Sequence, residues 1–75
     1  MTKAEKEIIL DLAMRYNFAA RNANIKTNEE CYRAMGRFAA MFSLMSKLHL
    51  LEEYETYVNN NKEKLEHWRK GGFCI

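Results

Sequence analysis

Apolar residues recur at helical spacing from the start of the chain, in a first run that extends from about Lys3 to Ala23. At about 100° per residue, most of them share one broad face. That face consists of Ile8, Ile9, Leu12, Ala13, Tyr16, Ala19, Ala20 and Ala23. A second stripe, Leu10, Met14 and Phe18, lies outside it. Because a helix with one partner needs only one apolar stripe, the second stripe predicts either a third element packed there or an intermolecular contact.

A second helical run begins at about Asn28 and carries a wide apolar face. The face consists of Ala34, Met35, Phe38, Met41, Phe42, Met45 and Leu48. We expect the core to form where this face meets the first helix. The predicted contacts set Phe38, Phe42 and Met45 against Leu12, Tyr16 and Ala19.

The apolar pattern changes phase after Leu48 and moves to nearly the opposite side of a continuous helix. The later apolar positions are Leu51, Tyr54, Tyr57, Val58, Leu65 and Trp68. The helix therefore either breaks near Leu48–Leu51 or continues and gives its second half to a different partner. Neither Gly nor Pro marks the first position, so the sequence favours a stop at Asn59–Asn61, followed by a short final helix.

Polar signals define the element ends. The spacings Thr2 to Glu5 and Thr27 to Glu30 are typical of capping boxes, in which each side chain bonds the backbone N–H of the other residue. The short polar link Asn22–Lys26 favours antiparallel neighbours. The sequence thus predicts an all-α fold: an antiparallel helical hairpin plus a short C-terminal helix, in one domain over residues 1–70, with a tail over residues 71–75.

Chain length indicates how such a fold is completed. A chain of 75 residues buries only roughly 60% of its unfolded surface, and small domains usually add a disulfide, a metal or a second copy. The two cysteines are Cys31, within a helical run, and Cys74, in the tail. The charged N-terminus lacks a secretory apolar region, so we expect free thiols in the cytoplasm and completion by homodimerisation. The longest uncharged run, Phe38–Ser46, is too short to span a membrane, which needs about 20 residues.

Residues that could carry chemistry are scattered along the chain. The candidates are Cys31, Cys74, His49, His67 and Asp11, and no local spacing pairs a nucleophile with a base. Structural zinc sites pair their ligands at close spacing, which is also missing. A glycine-rich phosphate loop is missing as well. The sequence therefore predicts no catalytic residue, no metal site and no cofactor.

Three basic residues of the second helix are the candidates for contact with a nucleic acid. Arg33 and Arg37 lie one turn apart on the second helix, and Lys47 follows on a similar side. The net charge of +2 is smaller than nucleic-acid-binding domains usually carry. The same helix also has a smooth stripe that would let another backbone come close, formed by Gly36, Ala40 and Ser43.

The C-terminal aromatics Tyr54, Tyr57 and Trp68 lie among charged residues. Aromatic anchors inside a polar rim are typical of protein interfaces, although the same residues could instead pack in the core. The sequence favours a non-enzymatic helical module that binds a protein partner through these three residues as an adaptor, an inhibitor or a subunit, with a size that suits a phage or mobile-element product. The alternative function is a small nucleic-acid-binding regulator that uses Arg33, Arg37 and Lys47.

Overall fold

The computed structural model describes residues 1–21 and 28–73 of the chain. This part contains four α-helices: α1 (Lys3–Arg21), α2 (Asn28–Lys47), α3 (Leu51–Asn60) and α4 (Lys62–His67). A π-helical turn, Trp68–Gly72, follows α4. The described residues form no β-strand, so the predicted all-α class is confirmed. Within them, no helix combines the length and the apolar character needed to cross a bilayer.

The predicted capping box starts α1. The backbone N–H of Glu5 donates to Thr2 Oγ1, and the backbone N–H of Thr2 donates to Glu5 Oε1, both at 3.1 Å. The bond from the Thr2 backbone favours the charged carboxylate and lowers the pKa of Glu5. The other predicted box, at Thr27, and the link Asn22–Lys26 lie outside the described residues.

Helices α1 and α2 pack against each other as a hairpin. The thiol of Cys31 donates to the Ala19 carbonyl at 3.3 Å, which joins the end of α1 to the start of α2. Further along, the Arg37 guanidinium lies 5.8 Å from the centre of the Tyr16 ring. As position numbers fall on α1 they rise on α2, so the two helices run antiparallel, as predicted.

Helix α2 ends at Lys47, in the region where the apolar pattern changes phase. The N–H of Leu50 donates to the Met45 carbonyl at 2.8 Å, and the N–H of His49 donates to the Ser46 carbonyl at 3.2 Å. These two bonds form a Schellman motif, which needs a left-handed residue at the position that His49 fills with φ of 58°. Leu50 and Met45 are buried in the same cluster, which supplies the hydrophobic contact that accompanies this motif.

The expectation that the helix continues to Asn59–Asn61 is therefore wrong. The chain breaks at both places, since α3 ends at Asn60 and α4 begins at Lys62. At the second break, the Asn61 side chain donates to the Tyr57 carbonyl at 2.7 Å. The first break lets α3 turn back over the hairpin, where the Tyr54 ring lies 6.2 Å from that of Phe38.

The core consists of two adjoining clusters. The buried members of the first are Leu10, Ala13, Met45 and Leu50. Those of the second are Met14, Phe18 and Trp68. Together they bury the second apolar stripe of α1 under α3, α4 and the π-helical turn, so a third element does pack on that stripe. Gly71, at φ of 101°, bends the chain within this turn. Phe73 then lies 4.9 Å from Phe18, measured between ring centres.

The predicted burial on α2 is correct for Met45 and wrong for Phe42, and the residues of α1 in the cluster of Met45 are Leu10 and Ala13, which were not among its predicted contacts. Met45 is completely buried, whereas Phe42 and Met35 keep 48% and 51% of their surface exposed. The physical reason is the break after α2. Because α3 returns across Phe38, the buried side of α2 centres on Ala34, Phe38 and Met45, and one flank of the predicted apolar face is left in solvent.

Candidate functional site

The structure brings Tyr54, Tyr57 and Trp68 together, but in the interior. Trp68 keeps only 3% of its surface exposed and lies edge-on to Phe18 at 5.4 Å. Tyr54 and Tyr57 are half-buried and pack against both core clusters. This placement fits the alternative interpretation, in which the three aromatics are structural. Little of Trp68 is left for a partner, and partner binding by the three residues stays a prediction.

A polar cluster beside Trp68 centres on Asp11, the only aspartate of the chain. Arg15 Nε donates to Asp11 Oδ2 at 2.7 Å, and Lys64 Nζ donates to Oδ1 at 2.7 Å. The Tyr57 hydroxyl also donates to Oδ1, at 3.1 Å. Burial opposes the charge on Asp11, but the bonds from Lys64 and Arg15 outweigh burial and lower the pKa of the carboxyl. One side chain of α1 thereby holds α3 and α4.

The same cluster keeps the Tyr57 hydroxyl protonated. Burial, together with the negative charge of Asp11, raises the pKa of Tyr57 to about 12. Two cations lie near the Trp68 ring: the Arg15 guanidinium at 5.1 Å and Lys64 Nζ at 5.8 Å from its centre. A general base works best with a pKa near the working pH. Asp11 is ionised with both oxygens engaged, and Tyr57 stays protonated, so this cluster is suited to holding the helices together.

The residues considered as candidates for chemistry lie at separate places in the fold. Cys31 is buried against α1, His49 is the left-handed residue that follows α2, and the His67 ring lies against the backbone of Gly72. Within the described ranges, no three His, Cys, Asp or Glu side chains converge in a way that could hold a metal ion. Cys74 lies outside those ranges.

The basic residues of α2 lie along one side of the helix, and two of them have partners. Arg33 Nη2 pairs with Glu29 Oε1 at 2.6 Å, and Arg37 lies over the Tyr16 ring. Lys47 is exposed in the last turn. Their contact with a nucleic acid stays a prediction.

Two grooves lie on the side of the hairpin that α3 and α4 cover. The larger, about 430 Å³, runs between α1 and α3 with Leu10 and Tyr57 at its base. Lys6 and Glu53 bridge it with an ion pair at 3.5 Å. The smaller, about 340 Å³, is lined mainly by apolar side chains, and Arg21 and Arg69 also line it. Because charges of both signs line the larger groove, its electrostatics favour no particular charged ligand.

The most unusual surface is the outward side of α2, here called the outer face. It consists of Tyr32, Met35, Gly36, Ala39, Phe42, Ser43 and Ser46, all exposed. Tyr32, the most exposed of its large side chains, keeps 72% of its surface in solvent. No member of the outer face is charged, because Arg33 and Arg37 project from another side of the helix. The sequence signal for this face was the smooth stripe through Gly36 and Ser43. Two of its large members, Met35 and Phe42, were missed because they were assigned to the core.

Comparison with known proteins leaves the function to be argued from these residues, since no protein-family model, curated protein or solved structure matches the chain.

Proposed function

We propose that this protein is a non-enzymatic helical module that binds another polypeptide, as an adaptor, an inhibitor or a subunit in the cytoplasm. The outer face of α2 is its docking surface. This surface differs from the one predicted from the sequence, which centred on the C-terminal aromatics. Trp68 is buried in the core, and Tyr54 and Tyr57 are half-buried there.

The observation that carries the proposal is the exposure of large apolar side chains on an uncharged helix face. Tyr32, Met35 and Phe42 each keep roughly half or more of their surface in solvent. Single exposed apolar residues are ordinary, but a grouped apolar patch on a small monomer is typical of an interaction site. Tyr, Phe and Met are enriched at interfaces, where charged residues are depleted. A solvent-facing helix usually carries charges instead.

The remaining surface supports a binding role over a catalytic one. The polar cluster at Asp11 has its hydrogen-bonding capacity committed to Arg15, Tyr57 and Lys64. These bonds join α1 to α3 and α4, while the hairpin leaves the outer face of α2 uncovered. An uncovered helix face is suited to helix-in-groove or helix-to-helix recognition.

Photo-crosslinking inside the cells that produce the protein tests the proposal. A photoreactive phenylalanine analogue replaces Phe42 in one variant and Glu55 in a control variant, since both positions are exposed and Glu55 lies on α3. We expect covalent adducts with a polypeptide, another copy or a different protein, from the Phe42 position and not from the Glu55 position. Equal adducts at both positions, or none at Phe42, would contradict the assignment.

A further inference from the structure

We infer that the outer face of α2 binds the same face of a second copy of this chain, with the two α2 helices antiparallel about a twofold axis near Ala39. This inference rests on the proposed function and names its partner. It is carried by three properties of the face: its spacing, its distribution of side-chain sizes and the charges at its two ends.

The spacing of the outer face is that of a helix packed against another helix. Five members recur at alternating intervals of three and four positions: Tyr32, Met35, Ala39, Phe42 and Ser46. This is the 3.5-residue repeat by which two helices keep one seam in contact along their length. The core-facing side of α2 already packs on α1 and α3, so the seam on its outer side requires a helix that the monomer does not supply.

The side-chain sizes match when the face meets itself in the antiparallel direction. With the twofold axis near Ala39, Tyr32 lies opposite Ser46 of the second copy, and each Met35 lies near the other copy's Phe42. Large then meets small at the ends, and a thioether meets an aromatic ring between them, which is a favourable contact. At the centre Ala39 meets itself. An isologous interface of this kind has each contact twice.

Small residues along one edge of the face allow the two backbones to come close. Gly36 is exposed, and a Cβ built on it meets nothing within 4 Å in the monomer. A glycine in mid-helix costs roughly 0.5–1 kcal/mol against alanine, so packing within one copy gives no reason for it. In the antiparallel pair, Gly36 lies beside Ser43 of the second copy, and the absent side chain becomes the space into which the other helix fits.

Charge selects the antiparallel direction. Glu29 and Lys47 are eighteen positions apart, which is about five turns, so both lie on the same edge of the outer face. In an antiparallel pair the same edges meet, which sets Glu29 against Lys47 of the second copy, twice. Glu29 holds Arg33 through Oε1 within its own chain, and the second cation adds to that pair. In a parallel pair opposite edges meet, so Glu29 and Lys47 would lie against the edge of Met35 and Phe42 and would gain no partner of opposite charge.

Sedimentation equilibrium of the full chain tests the arrangement. We expect a mass approaching twice 8.9 kDa as the concentration rises through the micromolar range. Phe42→Glu should raise the dimer dissociation constant by a hundredfold or more, because a charge would be buried on both copies of the seam. The matched control is Leu44→Glu, since Leu44 is 40% exposed on α2 but lies off the outer face, and this variant should still dimerise.

A charge exchange tests the direction of pairing. Lys47→Glu alone and Glu29→Lys alone should each raise the dissociation constant, by roughly tenfold at low salt, and the double variant should restore it. Restoration supports the antiparallel second copy. Failure of the double variant to restore dimerisation overturns the arrangement, as does loss of dimerisation in Leu44→Glu that matches its loss in Phe42→Glu.

The two proposals can fail separately. A wild-type chain that stays at the monomer mass at every concentration overturns the second copy as the occupant. If Phe42 then still crosslinks to a different polypeptide, the outer face remains a docking surface and the proposed function stands. If Phe42 crosslinks to nothing, both proposals are wrong.

Discussion

The sharpest prediction contrasts two aromatic residues whose environments the structure separates. Replacing Trp68 with alanine should destabilise the monomer strongly, and replacing Phe42 with alanine should hardly affect it. Trp68 is 3% exposed among Met14 and Phe18, whereas Phe42 is 48% exposed. The contrast tests which side of α2 faces the core.

The magnitudes follow from burial. Truncating a buried Trp or Phe to alanine costs about 3–5 kcal/mol, because transfer free energy is lost and a cavity remains. Burying a whole Phe is worth about 1.5–3 kcal/mol, so half-burial at position 42 is worth roughly 1 kcal/mol. Alanine recovers about 0.5 kcal/mol through its higher helix propensity. Phe42→Ala should therefore cost less than about 1 kcal/mol. The total free energy of unfolding of a chain of this length is roughly 4–11 kcal/mol, so Trp68→Ala removes a large share of the stability.

Urea denaturation followed by far-ultraviolet circular dichroism measures both values. The protein is kept dilute, where association contributes little, and the melts are repeated at high concentration, where any dimer adds stability by mass action. Trp68→Phe is the control that keeps an aromatic ring against Phe18. If Phe42→Ala lowers the free energy of unfolding as much as Trp68→Ala does in dilute solution, the described facing of α2 is wrong.

Three further predictions concern the α2 break and the Asp11 cluster. His49→Gly should raise the thermal midpoint and add about 1 kcal/mol to the free energy of unfolding, because glycine adopts the left-handed φ of 58° without strain; an unchanged or lower midpoint contradicts this. The stability of the wild type should fall as pH rises from 10 to about 12, because the folded state keeps the Tyr57 proton that the unfolded state releases, and Tyr57→Phe should remove that part of the fall in denaturation measured across this range. Asp11→Asn should lower the free energy of unfolding by about 1–2 kcal/mol at neutral pH, and its difference from the wild type should shrink as pH falls below 3.8, since the lowered pKa of Asp11 stabilises the fold only while the carboxyl is ionised; a constant difference would refute that role.

The features that were predicted correctly depend on neighbours in sequence. The capping box at Thr2 needs only Glu5, three positions away, and it forms as expected. The second stripe of α1 indicated either a third packing element or an intermolecular contact, because one stripe already sufficed for α2, and the structure shows the first of these. The phase change after Leu48 gave a break at that point as one of two alternatives, although the absence of glycine weighed against it. The structure shows the break.

The features that were missed depend on distant parts of the chain. The break after α2 uses His49 in a conformation that glycine usually adopts, and the burial of Leu50 beside Met45 compensates for it. Only the return of α3 decides which flank of the wide apolar face on α2 is covered. Phe42 was therefore placed in the core, and the large side chains of the outer face were overlooked. Trp68 has the residue type of an interface anchor, but its neighbour Phe18 lies fifty positions earlier.

The contact between Phe18 and Trp68 also determines when the apolar surface of α1 is covered during synthesis. Helices α1 and α2 leave the ribosome first and can pair through contacts that are close in sequence. Residues of α3 and α4 such as Tyr54 and Leu65 cover Met14 and Phe18 in part, and the cover is complete only when Trp68 and Phe73 have been made. Domains generally emerge and fold from the N-terminal side, and exposed apolar surface at that stage promotes aggregation. A nascent chain that stalls before Trp68 therefore exposes apolar side chains of α1 and is prone to aggregation. The π-helical turn closes the second cluster.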